Sequence, residues 1–243
     1  YARSHEIDST MPALVSDAGR VFSILDEGIT GITDPRLPQR WAILARDAYS
    51  GVRLWRRPLP EWGWPQWKPE WREQDWTATR GHRTRSPVTV PRRIVAAGDR
   101  VYVTLGYQAP LTALEAATGK TLRTYRGTEG TDEVLYADGL LVLCVRKPAS
   151  AATDAAEQED GQGGTRGQAD GSGERPAAEP VVMVIAADTG RLLWETSPGK
   201  VLPMTLAIHA GRVLFHTGDA LVALDLENGG EDWRTPNRTA RSN

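Results

Sequence analysis

Cysteine is almost absent from this 243-residue chain, where Cys144 stands alone. A single cysteine excludes an intramolecular disulfide and leaves the redox compartment open. Nothing near it in sequence lowers a thiol pKa, so Cys144 reads as a buried, inert thiol on an apolar strand. An excess of one charge is also lacking: 29 Lys and Arg stand against 31 Asp and Glu, a net charge of −2 that disfavours nucleic acid as a partner. No window approaches the ~20 apolar residues of a membrane span, so no transmembrane segment is expected. The 4 histidines include none at ligand spacing from the acidic pairs, and His209 and His216 read as strand or surface residues rather than zinc ligands.

What the chain does have is a repeat. Asp47 to Gly51 with Trp55, Glu115 to Gly119 with Arg123, Ala186 to Gly190 with Trp194, and Asp225 to Gly229 with Trp233 share one spacing. A recurring supersecondary unit points to a repeat architecture. Upstream of each copy lies a β-branched and aromatic run after a Gly or Gly-Asp turn: Arg20 to Leu25, Arg100 to Leu105, Leu140 to Val145 and Arg212 to His216. Weaker strand candidates precede these runs (Ala13 to Ser16, Ile94 to Ala97, Val134 to Ala137, Thr205 to His209), and others follow (Trp41 to Arg46, Leu111 to Leu114, Val181 to Ala186, Leu221 to Leu224). With the short strand that ends on the Trp or Arg, each unit holds four antiparallel strands, which is one blade of a β-propeller. The predicted class is all-β, with four blades at about 11–59, 91–126, 132–196 and 203–235 forming a single partial propeller over 1–243.

Turn chemistry accounts for the signature. The Asp can accept hydrogen bonds from N–H groups two or three residues on, and the Gly supplies a positive φ. The Trp on the outermost strand is expected to cover the next blade. Ala186 gives up the side-chain cap, and Arg123 can offer only its aliphatic stem or guanidinium plane in place of a ring. The turn glycines are 68, 71 and 39 residues apart, and the last interval is close to the roughly 40–45 of a bare blade. The surplus falls in insertions: 60–90 between the first two blades, 148–180 inside the third, and a smaller one between Leu25 and Trp41.

Ala-Leu-Glu115-Ala-Ala-Thr-Gly119, Ile185-Ala-Ala-Asp188-Thr189-Gly190-Arg-Leu-Leu-Trp194 and Ala-Leu-Asp225-Leu-Glu-Asn-Gly229 resemble the repeat of the quinoprotein-type, or PQQ-like, β-propeller superfamily. The stretch from Pro91 to Gly106 is similar to large, uncharacterised bacterial proteins of that superfamily. The resemblance implies rings of seven or eight blades, so four blades are expected to be half a ring. A closed four-blade ring and the pairing of two half rings are the alternatives. A chain that opens on Tyr1, without Met or a signal peptide, reads as a portion of a longer protein. The superfamily includes quinone-dependent dehydrogenases, which hold pyrroloquinoline quinone with an adjacent-cysteine disulfide, a calcium ion and a catalytic Asp. It also includes non-catalytic scaffolds of outer-membrane assembly. This chain has no adjacent cysteines and no clear calcium-ligand spacing, so no cofactor is expected in this segment, and PQQ and calcium enter only if the chain is part of an oxidoreductase. The resemblance also implies an extracytoplasmic, periplasmic setting.

The insertions are the natural place for specificity on a rigid scaffold. The 60–90 insertion holds five of the nine tryptophans. Trp62, Trp64 and Trp67 are candidate ligand-binding residues, an aromatic platform for a glycan; the competing and favoured expectation is that their rings fold back onto the propeller flank. Pro60, Pro65 and Pro69 prevent a continuous helix there, whereas Glu70 to Trp76 could make about two turns. Arg83 and Arg85 are candidates for an anionic ligand within a basic run that also includes Arg80, His82, Arg92 and Arg93, and solvated loop charge is the favoured reading of that run. The 148–180 insertion has no aromatic or large aliphatic residue and is expected to be a disordered acidic spacer. Asp26 with Glu27, and Glu129, Asp132 and Glu133, are the acidic groups that could serve a metal or acid–base chemistry, although turn carboxylates are routine. No residue is assigned a catalytic role. The expected function is a non-catalytic propeller module for protein or ligand binding, partnered by the rest of the propeller or by a second protein. The alternatives are part of a quinone-dependent oxidoreductase and a glycan-recognition module.

Overall fold

The computed structural model describes residues 11–28, 39–67, 69, 86–146 and 179–237. They form four four-stranded antiparallel sheets in which strands adjacent in sequence pair in order. Blade 1 comprises β1 (Ala13–Asp17), β2 (Arg20–Asp26), β3 (Trp41–Asp47) and β4 (Arg53–Pro58). Blade 2 comprises β5 (Ile94–Ala97), β6 (Arg100–Thr104), β7 (Leu111–Glu115) and β8 (Thr121–Thr124). Blade 3 comprises β9 (Thr131–Ala137), β10 (Leu140–Arg146), β11 (Pro180–Ala186) and β12 (Leu192–Thr196). Blade 4 comprises β13 (Ala207–His209), β14 (Arg212–His216), β15 (Ala220–Asp225) and β16 (Glu231–Pro236). The chain is the expected all-β partial propeller of four blades. A single helical turn, α1 (Trp64–Trp67), and a 3-10 turn at Val90–Arg92 lie in the first inter-blade connection. Pro65 is tolerated in α1 because it falls in the first turn, where its missing N–H has no helical partner to lose.

The middle strands of each blade are apolar on both faces, so the core is divided into slabs between neighbouring blades. Phe22, Ile24 and Ile43 of blade 1 meet Val101, Val103 and Leu114 of blade 2. The other face of blade 2, with Tyr102, Leu111 and Ala113, meets Leu141, Leu143 and Met183 of blade 3. Val142, Cys144 and Val184 in turn meet Val213, Phe215 and Val222 of blade 4. The inner strands β1, β5, β9 and β13 touch in that order, and among the described residues no comparable contact returns from β13 to β1. The four blades therefore make an open arc.

All four signature turns have one backbone geometry. The glycine N–H donates to the carbonyl four residues back, from Gly51 to Asp47 and from Gly229 to Asp225 at 2.9 Å, and from Gly119 to Glu115 and Gly190 to Ala186 at 2.8 Å. Each of these glycines has φ between 71° and 75°. A register shift recurs at the same place in every blade, between Ala45 and Arg46, Ala113 and Leu114, Val184 and Ile185, and Ala223 and Leu224. Such a bulge tightens the local twist into the turn. Asp47 Oδ1 accepts from the Tyr49 and Ser50 N–H groups at 3.1 and 2.7 Å, and Asp225 Oδ1 accepts from Glu227 and Asn228 at 2.9 Å each. Ala186 lacks that cap, and its turn keeps the backbone bonds alone.

The aromatic residue of each signature locks one blade to the next. Trp55 Nε1 donates to the Ala116 carbonyl at 2.9 Å, and Trp194 Nε1 donates to the Leu226 carbonyl at 2.9 Å. Each acceptor directly follows the first residue of the next blade's turn. The rings lie flat enough on that turn that a Cβ added to Gly119 or Gly229 would sit 2.7 Å from the Trp55 or Trp194 ring. In blade 2 the work is divided. The Arg123 stem passes 3.6 Å from where a Gly190 Cβ would be, and the Tyr125 ring takes the tryptophan's place, with its hydroxyl donating to the Ala187 carbonyl at 2.5 Å. Tyr125, two residues beyond the signature position, is therefore the residue that completes this joint. Burying such a ring contributes about 2 kcal/mol and its hydrogen bond about 1 kcal/mol.

Gly119 and Gly51 offer a matched comparison, because both have a positive φ but only Gly119 has a ring above it. Gly51→Ala is expected to cost about 1 kcal/mol of backbone strain. Gly119→Ala is expected to cost about 2 kcal/mol more, because Trp55 must leave the turn. Urea unfolding of the two variants checks the difference, and equal losses would show that the ring does not depend on the absent side chain.

Candidate functional site

Strand order decides which end of the arc carries the insertions. The tight β1–β2 and β3–β4 turns and their counterparts lie at one end, so the β2–β3 links and the blade-to-blade links lie at the other. The Leu25–Trp41, 60–90 and 148–180 insertions fall in a β2–β3 link, a blade-to-blade link and a β10–β11 link. All three leave from the same face.

At the inner rim of that face the structure collects an aromatic cluster and an ion-pair network. Trp41, at the start of β3, packs against Trp62 and Trp67 with ring centroids 6.1 and 5.7 Å away, and Trp67 meets Tyr107 edge-on at 5.5 Å. Trp62 Nε1 donates to the Thr104 carbonyl at 3.1 Å, and Gln39 Oε1 accepts from both Trp41 Nε1 and the Trp64 N–H. Trp62, Trp64 and Trp67 are only 4, 8 and 8% exposed. These rings fill the crevice between blades 1 and 2, and they are not arranged as a surface platform. Arg83 and Arg85 lie outside the described residues, as do Arg80, His82, the 70–76 segment and most of the 148–180 insertion.

Arg93 corrects the expectation of solvated loop charge. It is 1% exposed, its guanidinium stands 4.1 Å above the Tyr107 ring, and Nη1 donates to the Tyr107 carbonyl at 2.7 Å. Its Nη2 pairs with Asp132 Oδ1, while Arg146 Nε pairs with Asp132 Oδ2 at 2.5 Å. One carboxylate at the entry of β9 thus bridges an arginine from the entry of β5 and another from the end of β10. Glu133 faces the next connection, where Oε1 accepts the Met204 N–H at 2.7 Å and Oε2 is buried without a hydrogen-bond partner. Burial pushes the Glu133 carboxyl above its usual range, against the Met204 hydrogen bond and the charge of Arg92. The sequence placed these acids together but gave no sign of their arginine partners, because Arg93 is 39 residues from Asp132.

The remaining candidates are structural in their contacts. Asp26 Oδ1 accepts from the Gly28 and Arg40 N–H groups at 2.9 and 2.7 Å, and Glu27 pairs with Arg56 at 2.5 Å. His216 Nδ1 accepts from the Gly218 N–H at 2.8 Å, and Nε2 meets Asn237 at 2.9 Å. Among the described residues no three His, Cys, Asp or Glu side chains group so as to hold a metal ion. No helix of the described residues is long and apolar enough to cross a membrane.

The family model described as outer membrane protein assembly factor BamB matches residues 40–243. The chain belongs to that family. Its repeat is of the PQQ-like propeller type. No curated protein matches the sequence. Among solved structures, BamB from Moraxella catarrhalis is 14% identical with a TM-score of 0.49, over 91% of this chain and 47% of that one. The quinohemoprotein alcohol dehydrogenase from Comamonas testosteroni is 15% identical with a TM-score of 0.50, over 92% of this chain and 34% of that one. The acylaminoacyl peptidase from Pyrococcus horikoshii is 10% identical with a TM-score of 0.56, over 94% and 32%. The chain spans about half the length of the Moraxella protein. At such identities the dehydrogenase and the peptidase show a shared fold alone.

Two outcomes follow from burial. Glu133 is raised in the folded state, so its share of stability is fully present below the unfolded value near 4.5 and is lost as pH rises through the folded value. The advantage of Glu133→Gln over the parent, measured by urea unfolding, is therefore expected to be larger near pH ~7 than near pH ~4. Burial pushes the Cys144 thiol up to about 12. Iodoacetamide should leave Cys144 unmodified in the native chain and alkylate it in urea; rapid native labelling would contradict its place in the slab between blades 3 and 4.

Proposed function

We propose that this chain is a non-catalytic PQQ-like propeller module for binding and scaffolding, with its loop-bearing face as the contact surface for another protein. The observation that carries this reading is that all three insertions leave the blades from one face, whose rim is tied together by Arg93, Asp132 and Arg146. Loops on a rigid scaffold supply specificity, whereas among the described residues the opposite face carries the tight hairpin turns of the blades. Membership of the BamB family supports a protein partner and an extracytoplasmic setting.

The alternative, part of a quinone-dependent oxidoreductase, draws on the quinohemoprotein neighbours in fold alone.

A photo-crosslinker at exposed Gln108, on the β6–β7 loop, is expected to capture a partner protein from extracts of the source cell. The same group at exposed Glu227, on the opposite face, is expected to capture none. Equal capture at both positions would remove the loop face from the proposal. A rise in melting temperature with pyrroloquinoline quinone and calcium would favour the oxidoreductase reading instead.

A further inference from the structure

The turn of blade 4 differs from the other three in one chemical respect. In every blade the residue before the signature glycine caps the N–H two residues on. Ser50 Oγ accepts from Val52 at 3.4 Å, Thr118 Oγ1 from Lys120 and Thr189 Oγ1 from Arg191 at 3.2 Å each, and Asn228 Oδ1 from Gly230 at 2.7 Å. A side-chain amide thus stands where the other blades have a hydroxyl. Of the asparagines, Asn228, Asn237 and Asn243, only Asn228 precedes a glycine. That pairing favours attack of the following backbone nitrogen on the side-chain amide, because glycine has no Cβ to shield its nitrogen or restrict its rotation. Asn228 is exposed, and the Gly230 N–H is placed to stabilise the negative charge that develops on Oδ1 in such an attack. The nucleophile, however, is withheld. The Gly229 N–H donates to the Asp225 carbonyl at 2.9 Å, and the Trp194 ring covers the glycine, 2.7 Å from where a Cβ would be. That ring is anchored in turn by its bond to the Leu226 carbonyl of the same hairpin.

We propose that Asn228 is a self-modification site gated by the joint between blades 3 and 4. When the joint opens, the Gly229 nitrogen gives its proton to hydroxide and bonds to Asn228 Cγ. The Cγ–Nδ2 bond breaks, ammonia leaves, and water opens the five-membered imide at either carbonyl to give aspartate or isoaspartate. The net change is amide and water to carboxyl and ammonia, with no oxidant or reductant. The isoaspartyl product routes the main chain through Cβ and so lengthens it by one carbon ahead of Gly229. The glycine then cannot both bond the Asp225 carbonyl and lie beneath the Trp194 ring, and the joint does not close again. The product carboxylate also joins Asp225 and Glu227 in one hairpin, where like charges repel. The modification therefore records the opening of this one joint. Turns that carry Ser50, Thr118 or Thr189 at the same place cannot acquire it. This chemistry is separate from the binding role of the loop face and lies on the opposite face.

The 243-residue chain is incubated in mildly alkaline buffer, native or in guanidinium chloride, and the amide-to-acid mass gain at position 228 is followed by peptide mass spectrometry. The native rate is expected to be at least about tenfold the slower, because reaction of an opened form tracks the population of that form. Trp194→Phe keeps an aromatic ring but gives up the bond to Leu226. It should speed the native reaction severalfold and leave the rate in denaturant unchanged. Chains modified at position 228 should melt at a lower temperature than fresh ones. Asn228→Ser, which restores the hydroxyl of the other turns, should melt after the same incubation as it did before. Equal native and denatured rates, or a native Trp194→Phe rate no higher than the parent's, would overturn the gate. Modified chains that melt like fresh ones would overturn the loss of the joint.

Discussion

The arc depends on a flat ring lying across a glycine turn of the next blade. A four-stranded sheet cannot bury both faces by itself, so each blade is stable only in contact with a neighbour. The ring contact sets the distance and angle of that neighbour, because the ring needs an empty Cβ position beneath it and a carbonyl within reach of its N–H or O–H. Glycine meets both demands at once. It adopts the positive φ that aims the turn, and it leaves room for the ring. This dual demand explains why the Asp is dispensable and the Gly is not: Ala186 loses a side-chain cap that the backbone bonds can spare, whereas Gly190 keeps both the turn and the space.

The axial rim solves a different problem. The strand entries converge there, and a register shift beside Asp132 interrupts the β9–β10 ladder. Asp132 ties this point down by pairing an arginine at the entry of β5 and another at the end of β10. Burying Arg93 and Asp132 is costly, and the pair is sustained by further contacts: Arg146, itself one-third exposed, takes the second carboxylate oxygen, and Arg93 also bonds the Tyr107 carbonyl and stacks on its ring. The Trp41, Trp62 and Trp67 cluster closes the gap on the outer side of Tyr107.

The blades were legible because their signals are local. Alternation over four to seven residues marks a strand, and an Asp, Ala or Glu four residues before a Gly marks the turn, all within one hairpin. The joints were half legible. Trp55 and Trp194 stood at the signature position, but Tyr125 lay two residues past it and its acceptor, Ala187, is 62 residues away. Of the rim, only its acids, Asp132 and Glu133, were legible. Arg93 sat in a run of basic residues that composition assigns to solvent, and its burial depends on Asp132 and Tyr107, which belong to other connections. The three insertion tryptophans were legible as a cluster, while their inward orientation depended on Trp41 and the Thr104 carbonyl.

The sequence by itself determined the repeat, the blade and the conformation of its turns, since each rests on backbone preferences and side-chain alternation within about a dozen residues. Only the tertiary structure decided which side chains are buried and which face carries the insertions. Burial and closure are set by neighbours one blade away, some 40 to 70 residues along the chain, where no local rule reaches.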